Sequence, residues 1–324
     1  MRSSLPLLAV LLIAGLGLSF TASEYTLRLL NMAVISSVAV VGLNFAFGYA
    51  GLISLGHAAF VGLGAYTLAI LTTQAGWSPW LAAIPAIAGT GLVAAVLGYP
   101  LLRLKGHYLA LATLGLNVSF SIVAANWIEV TGGTNGIARI PGLNVFGHAL
   151  TDERSFLWFG LAVLALLSVI ALAIHGSRIG RAMMAVRDDE TAAAMTGINV
   201  TGVSVAAFAL SAVYAAVAGC LFATHVHFVS PDDFSYAHSI THLAMLIVGG
   251  EGTVAGAIIG ATILTFLPEW FRIFGDGYLA FFGLMMLAIL IFLPTGIMGL
   301  LRRWRRPVRP AAPAEADLKE AVRS

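Results

Sequence analysis

The sequence predicts an all-α fold: a polytopic transmembrane helical bundle of about 10 membrane segments, some of them short or broken. Three observations predict it. Of 324 residues, 59% are hydrophobic and only 10% charged, with a mean hydropathy of +0.94; a soluble chain of this length needs far more polar surface. Runs such as 157–174 and 278–293 carry no charge and are long enough, or nearly so, to cross about 30 Å of hydrocarbon as helices. The charges gather in a few loops and the tail, with one charged island at 175–201.

Residues 5–20, behind Arg2, are short enough for a signal-peptide core, but TASEY after them is a poor cleavage site, so they read as an uncleaved first span. Hydropathy then places helices at 28–48, 57–74, 80–102, 107–126, 156–174 and 202–222, followed by 239–249, 253–268 and 277–294. Thirteen Lys or Arg, from Arg2 through Arg103, Lys105, Arg178, Arg181 and Arg187 to the tail, fall in segments of one side. Only Arg28, Arg139, Arg154 and Arg272 fall on the other. The positive-inside rule makes the richer side cytoplasmic.

Parity decides the region 239–267. One long helix there would send Arg302–Arg306 outside; two short helices broken at Gly249-Gly250-Glu251-Gly252 bring the tail inside. Each half is shorter than the ~20 residues of a full span. Such halves persist at membrane depth only when packed in protein or lining a watery cavity. A second Gly-rich stretch, 48–67, echoes 249–264, the kind of mark a repeated transporter fold leaves. Residues 127–155 form a long outer segment with turn chemistry in TGGTNG and Pro141-Gly142. Residues 1–301 are thus read as the transmembrane domain and 302–324 as a disordered basic cytoplasmic tail, suited to anionic headgroups.

The residues also limit the chemistry. There is no G-x-x-x-x-G-K-[ST] loop, and the only lysines are Lys105 and Lys319, so no ATP phosphates are cradled here. The spans carry almost no ionisable groups: His57 and His242 are the interior ones, Glu251 lies at the break, and Glu129 and Glu269 lie at ends. An ion-coupled carrier needs such groups along its path. The pattern favours a carrier powered by another chain over a self-sufficient secondary carrier or channel. Ser54 and His57 lack a third orienting group, so no catalytic residue is assigned. The outer His225, His227, Asp232, Asp233 and His238 are read as loop residues, so no metal site is assigned, and nothing points to nucleic acid. Cys220, the single cysteine, excludes an intrachain disulfide.

Six stretches, in order along nearly the whole chain, carry a resemblance: NFAFGYAGLISLGHAAFVGLGAY (44–66), RLKGHYLALATLG (103–115), TGGTNGI (131–137), SRIGRAMMAVRDDETAAAMTGINV (177–200), LAMLIVGGEGTVAGAIIGA (243–261) and FLPTGIMGL (292–300). Together they resemble the permease family of bacterial branched-chain amino acid ABC importers. The TGG-bearing outer loop is similar to that of the second of the two permease types.

The resemblance implies a bacterial inner-membrane subunit that pairs with a second, homologous permease and two cytoplasmic ATPase subunits and receives substrate from a periplasmic solute-binding protein. It implies no cofactor on this chain, ATP and Mg being held by the ATPases. The 177–200 loop is similar to the one that seats on the ATPase, where Glu-Ala-Ala-x-x-x-Gly is usual. Glu190, Ala192, Ala193 and Gly197 match that pattern with a one-residue slip, and Arg178, Arg181, Arg187 and Asp188 complete the expected coupling loop; Gly197 is expected to end a short helix in a left-handed turn. Asn44, Gly51, Ser54, Gly56, His57, Thr113, Gly249 and Gly250 are the expected path residues, while Thr131, Gly132, Gly133 and Asn135 are the expected contacts of the binding protein. The implied cargo is leucine, isoleucine, valine or a related amino acid; urea, short amides or another small hydrophobic compound remain the alternative.

Overall fold

Ser23 separates the first two helices. Helix α1 (Ser4–Thr21) ends before it, and its hydroxyl caps α2 (Glu24–Leu43) by accepting from the Thr26 N–H at 3.4 Å. The cap, with Glu24 at the positive end of the helix, starts α2 four residues earlier than hydropathy alone indicates. The computed structural model describes residues 4–145, 148–150 and 152–271, together with 283 and 296–299. The span expected at 277–294 and the tail at 302–324 therefore lie outside the described residues, apart from residue 283.

Along the chain follow α3 (His57–Thr73), α4 (Pro79–Leu101), α5 (His107–Asn126), the short α6 (Ile128–Thr131), α7 (Glu153–Gly176), α8 (Arg178–Asp188), α9 (Glu190–Met195), α10 (Val200–Val226), α11 (Tyr236–Gly249) and α12 (Val254–Phe271). Among the described residues, six helical segments are long and apolar enough to cross a membrane: Glu24–Tyr49, α4, α5, α7, α10 and α12. The expected Gly-Gly-Glu-Gly break lies between α11 and α12; α11, with 14 residues, is short as expected, whereas α12, with 18, is longer than expected and long enough to cross a membrane. The charged island is two helices, α8 and α9. Asp189 divides them: it ends α8, and its carboxylate accepts from the N–H groups of Thr191 and Ala192 at 2.8 and 3.0 Å to begin α9.

Helix α10 is the axis of the bundle and packs on α2, α3 and α4. Small residues let the backbones meet. A methyl group on Gly219 would strike the Val61 carbonyl, and one on Gly64 would lie 2.5 Å from the Ala216 Cα. Helices α11 and α12 cross as closely, Gly249 being pressed on the backbone of Gly256 and Gly260. Burial is uneven. The most apolar windows of α4 and α5 are only 28% and 22% buried in this chain, against 78% for Glu24–Tyr49.

The two ends of the bundle are chemically distinct. At one, Asn31 donates to the Glu153 carbonyl at 3.0 Å and its carboxylate at 2.7 Å, His225 pairs with Glu153 at 3.5 Å, and Tyr25 donates to Glu269 at 2.5 Å. Two small antiparallel ladders close that end: β1 (Ile137–Ala138) with β4 (Phe228–Val229), and β2 (Asn144–Val145) with β3 (His148–Ala149). At the other end lie α8, α9, the loop at 102–106 and the break between α11 and α12. Segments that charge assigns to the Lys- and Arg-rich side lie together at this second end.

Candidate functional site

Helix α2 does not end as an α-helix. Over Asn44–Tyr49 it continues as a π-helical turn, in which the Ala50 N–H reaches back five residues to the Phe45 carbonyl at 3.2 Å. An irregular stretch, 50–56, then leads to α3. The second interruption lies between α11 and α12, where Gly250 and Gly252 take φ of +112° and +73°, values that suit glycine. The two interruptions touch: the Asn44 side-chain carbonyl accepts from the Gly252 N–H at 2.8 Å. The Gly-rich stretches that echo each other in sequence are thus neighbours in space.

Arg187, in the last turn of α8, clasps both. Its Nη1 donates to the Gly48 carbonyl in the π turn, and its Nη2 donates to the Glu251 carboxylate at 2.5 Å. Arginine suits the task because its planar fork presents several donors in fixed directions. The Gly51 backbone packs beside the Arg187 stem with φ +70°. Glu190, first in α9, forms an ion pair with Lys105 from the loop before α5. Between these elements lies a cavity of about 530 Å³, walled by Gly51, Arg103, Lys105, Arg187, Asp188 and Glu190 among others.

The remaining coupling-loop residues fall on or near the surface. Arg178 and Asp188 are exposed, and Arg181 donates to the Gly176 carbonyl at 2.9 Å. Ala193 is buried, whereas Ala192 and Gly197 are exposed. The expected left-handed turn is present: Gly197 has φ +85°, its N–H bonds the Ala194 carbonyl, and that of Ile198 bonds Ala193. Met195 and Ile179, 86% and 56% exposed, add apolar surface to this charged end.

The expected path residues form packing seams. Thr113 accepts from the Leu55 N–H at 3.0 Å, Ser54 accepts from Gly56 at 3.4 Å, and Gly56 abuts the Thr113 backbone. His57 is fully engaged. Its Nε2 lies 2.9 Å from the Ala39 carbonyl, which can only accept, so Nε2 bears the hydrogen and Nδ1 accepts from the Ser211 hydroxyl at 3.3 Å. Asn44 is buried at the junction of the breaks, Gly249 lies in the α11–α12 crossing, and Gly250 caps α11. Of the eight, Gly51 lines the 530 Å³ cavity. Sequence reasoning left out Glu251 and Lys105 as partners of the charged loop. A lone acid in a glycine-rich break marks Glu251 as unusual, but nothing local names its partner across 64 positions.

The outer TGGTNG turn is anchored from within. Thr131 is buried and bonds the Ala124 and Trp127 carbonyls, both at 2.7 Å, and Gly132, Gly133 and Gly136 all have positive φ. Gly133 is buried and Asn135 is exposed. Among the described residues, no group of three His, Cys, Asp or Glu is gathered so that it could hold a metal ion.

Comparison with known proteins agrees with this architecture. Residues 25–293 match the family described as branched-chain amino acid transport system / permease component. The chain is 33% identical over 320 residues to the high-affinity branched-chain amino acid transport system permease protein LivM of Escherichia coli, covering 91% of this chain and 75% of the relative. It is 26% identical to the permease protein LivH of the same organism and 27% identical to BraD of Pseudomonas aeruginosa, covering 80% and 85% of this chain and 89% and 96% of the relatives. No solved structure matches it. With the apolar helices described above, these matches make the chain a multi-pass membrane transport component, a member of the branched-chain amino acid transport system permease family.

Proposed function

We propose that this chain is one of two homologous permease subunits of an ATP-driven importer, moving leucine, isoleucine, valine or a close relative inward across a bacterial inner membrane. Two ATPase subunits supply the energy and hold ATP and Mg, and this chain has no ATPase site of its own. They seat on α8 and α9 at the cytoplasmic end, where the C-terminus also lies. A periplasmic solute-binding protein docks at the opposite end, around the exposed part of the TGGTNG turn.

The observation that supports this reading best is the Arg187 clasp. A force on α8 reaches two interrupted membrane segments at once, through Gly48 and through Glu251. Interrupted segments packed in protein are the parts of such a bundle that can shift without unpairing a whole helix. The test is co-purification and vesicle uptake. The chain should bring an ATPase with it, and leucine uptake should require ATP and the binding protein. Uptake that persists without ATP and follows an imposed proton or sodium gradient would overturn the proposal.

A further inference from the structure

A second cavity, of about 160 Å³, lies near the opposite end, bounded by α2, α3, α10, α11 and the short 3₁₀ turn Pro231–Phe234. It has room for roughly five waters. Four side chains with polar chemistry line it: Ser36, Asp233, His238 and His242. The histidines are one helical turn apart on α11 and so share a face. Ile35, Val61 and Phe222 supply apolar wall.

The polar groups here are not used up by the fold. The Nδ1 of His242 is inaccessible yet has no hydrogen-bond partner. A buried polar atom in that state is destabilising, and native structures seldom leave one without a reason. His57 cannot serve it: both nitrogens of His57 are taken by Ala39 and Ser211, and its ring meets His242 edge-on, with centroids 5.8 Å apart. Asp233 is held in place, its Oδ2 accepting from the Ser230 N–H and hydroxyl, each at 2.8 Å.

A fixed carboxylate, a serine hydroxyl, two imidazoles and a small apolar wall are complementary to one class of molecule. We infer that this cavity is a binding station for the α-amino acid within the chain. Its ammonium meets Asp233, its carboxylate meets His238 and His242, and its branched side chain lies against Ile35, Val61 and Phe222. The inference rests on the proposed amino acid import and places a station of it on α11, beside the His57 seam.

The test uses the assembled importer, with its ATPases and binding protein, in proteoliposomes. His242→Phe fills the cavity and should lower leucine uptake at least tenfold, with assembly and ATP hydrolysis in the absence of substrate unchanged. His242→Gln, which keeps a donor and an acceptor, should stay within threefold of the parent. In a second measurement that does not depend on the folding of His242→Phe, Ser36→Cys is made in a Cys220→Ser background. Residue 36 lines the cavity. Leucine presented by the binding protein should slow its alkylation severalfold, and 4-methylpentanoate, which lacks the ammonium group, should not. Full uptake by His242→Phe, or alkylation indifferent to leucine while uptake proceeds, overturns the station. A parent importer that carries no leucine at all instead overturns the proposed substrate class, and the inference with it.

Discussion

Arg187 holds its two partners with different atoms, and that division predicts how substitutions there should behave. Lysine keeps the charge but offers a single ammonium on a flexible stem, so Arg187→Lys can satisfy Gly48 or Glu251 but not both with the same geometry. Side chains about one third exposed make a weak stabilising pair, so Glu251→Gln should lower unfolding stability by no more than ~1 kcal/mol. Both variants should nonetheless reduce uptake severalfold per ATP hydrolysed. Unchanged coupling in Arg187→Lys would mean that force passes elsewhere. Gly197 presents the opposite situation. Nothing lies within 4 Å of where its Cβ would be, so a substitution meets backbone torsion alone. At φ +85°, Gly197→Val should cost ~1–2 kcal/mol in that turn and weaken ATPase association, whereas Gly197→Asn, which tolerates left-handed geometry, should retain most of it. Pull-down of the ATPase with the three forms separates these outcomes.

At the scale of elements, the helices that pack by small residues should respond to volume. Gly219→Val drives side-chain atoms into the Val61 backbone and should destabilise the α3–α10 contact by ~1–3 kcal/mol or abolish folded yield, while Gly89→Ala, which faces open space, should be neutral in detergent melting. The same elements show what was legible beforehand. Helices α3, α4 and α5 lie within a residue of their expected bounds, because each is a clean apolar run between turn residues. Helices α7 and α10 are longer than the apolar pattern, since Glu153 and His225 are polar residues inside helix ends that pair across the bundle. The break before Glu251 was readable from parity, and the left-handed turn at Gly197 from composition. The π turn at Asn44–Tyr49 was not: its residues suit an α-helix equally well, and a bond five residues back leaves no mark in hydropathy. Nor was the meeting of the two breaks, since a side chain in one loop says nothing of a backbone 208 positions away.

For the whole molecule, the sidedness has a direct test. In a Cys220→Ser background, a membrane-impermeant thiol reagent should modify Asn135→Cys in intact cells and Lys105→Cys only after the membrane is opened; the reverse pattern would invert the bundle. The long reach of the α2 contacts also has a consequence in time. Helix α2 is made second, yet Asn31 waits for Glu153, 122 positions later, and Asn44 waits for Gly252. At the usual pace of synthesis, the second interval lasts about 10 to 40 s. Until residue 153 is made neither amide has its final partner, and Asn44 lacks its own for the whole of the second interval, in the helix that ends up deepest in protein. A nascent chain stalled before residue 252 is therefore a different object from the finished one, with an asparagine from its core still seeking a donor. Such stalled chains should be destroyed by membrane proteases faster than chains stalled after α12, and pulse-chase measurement of the two lifetimes would show whether completion of the break marks the molecule as finished.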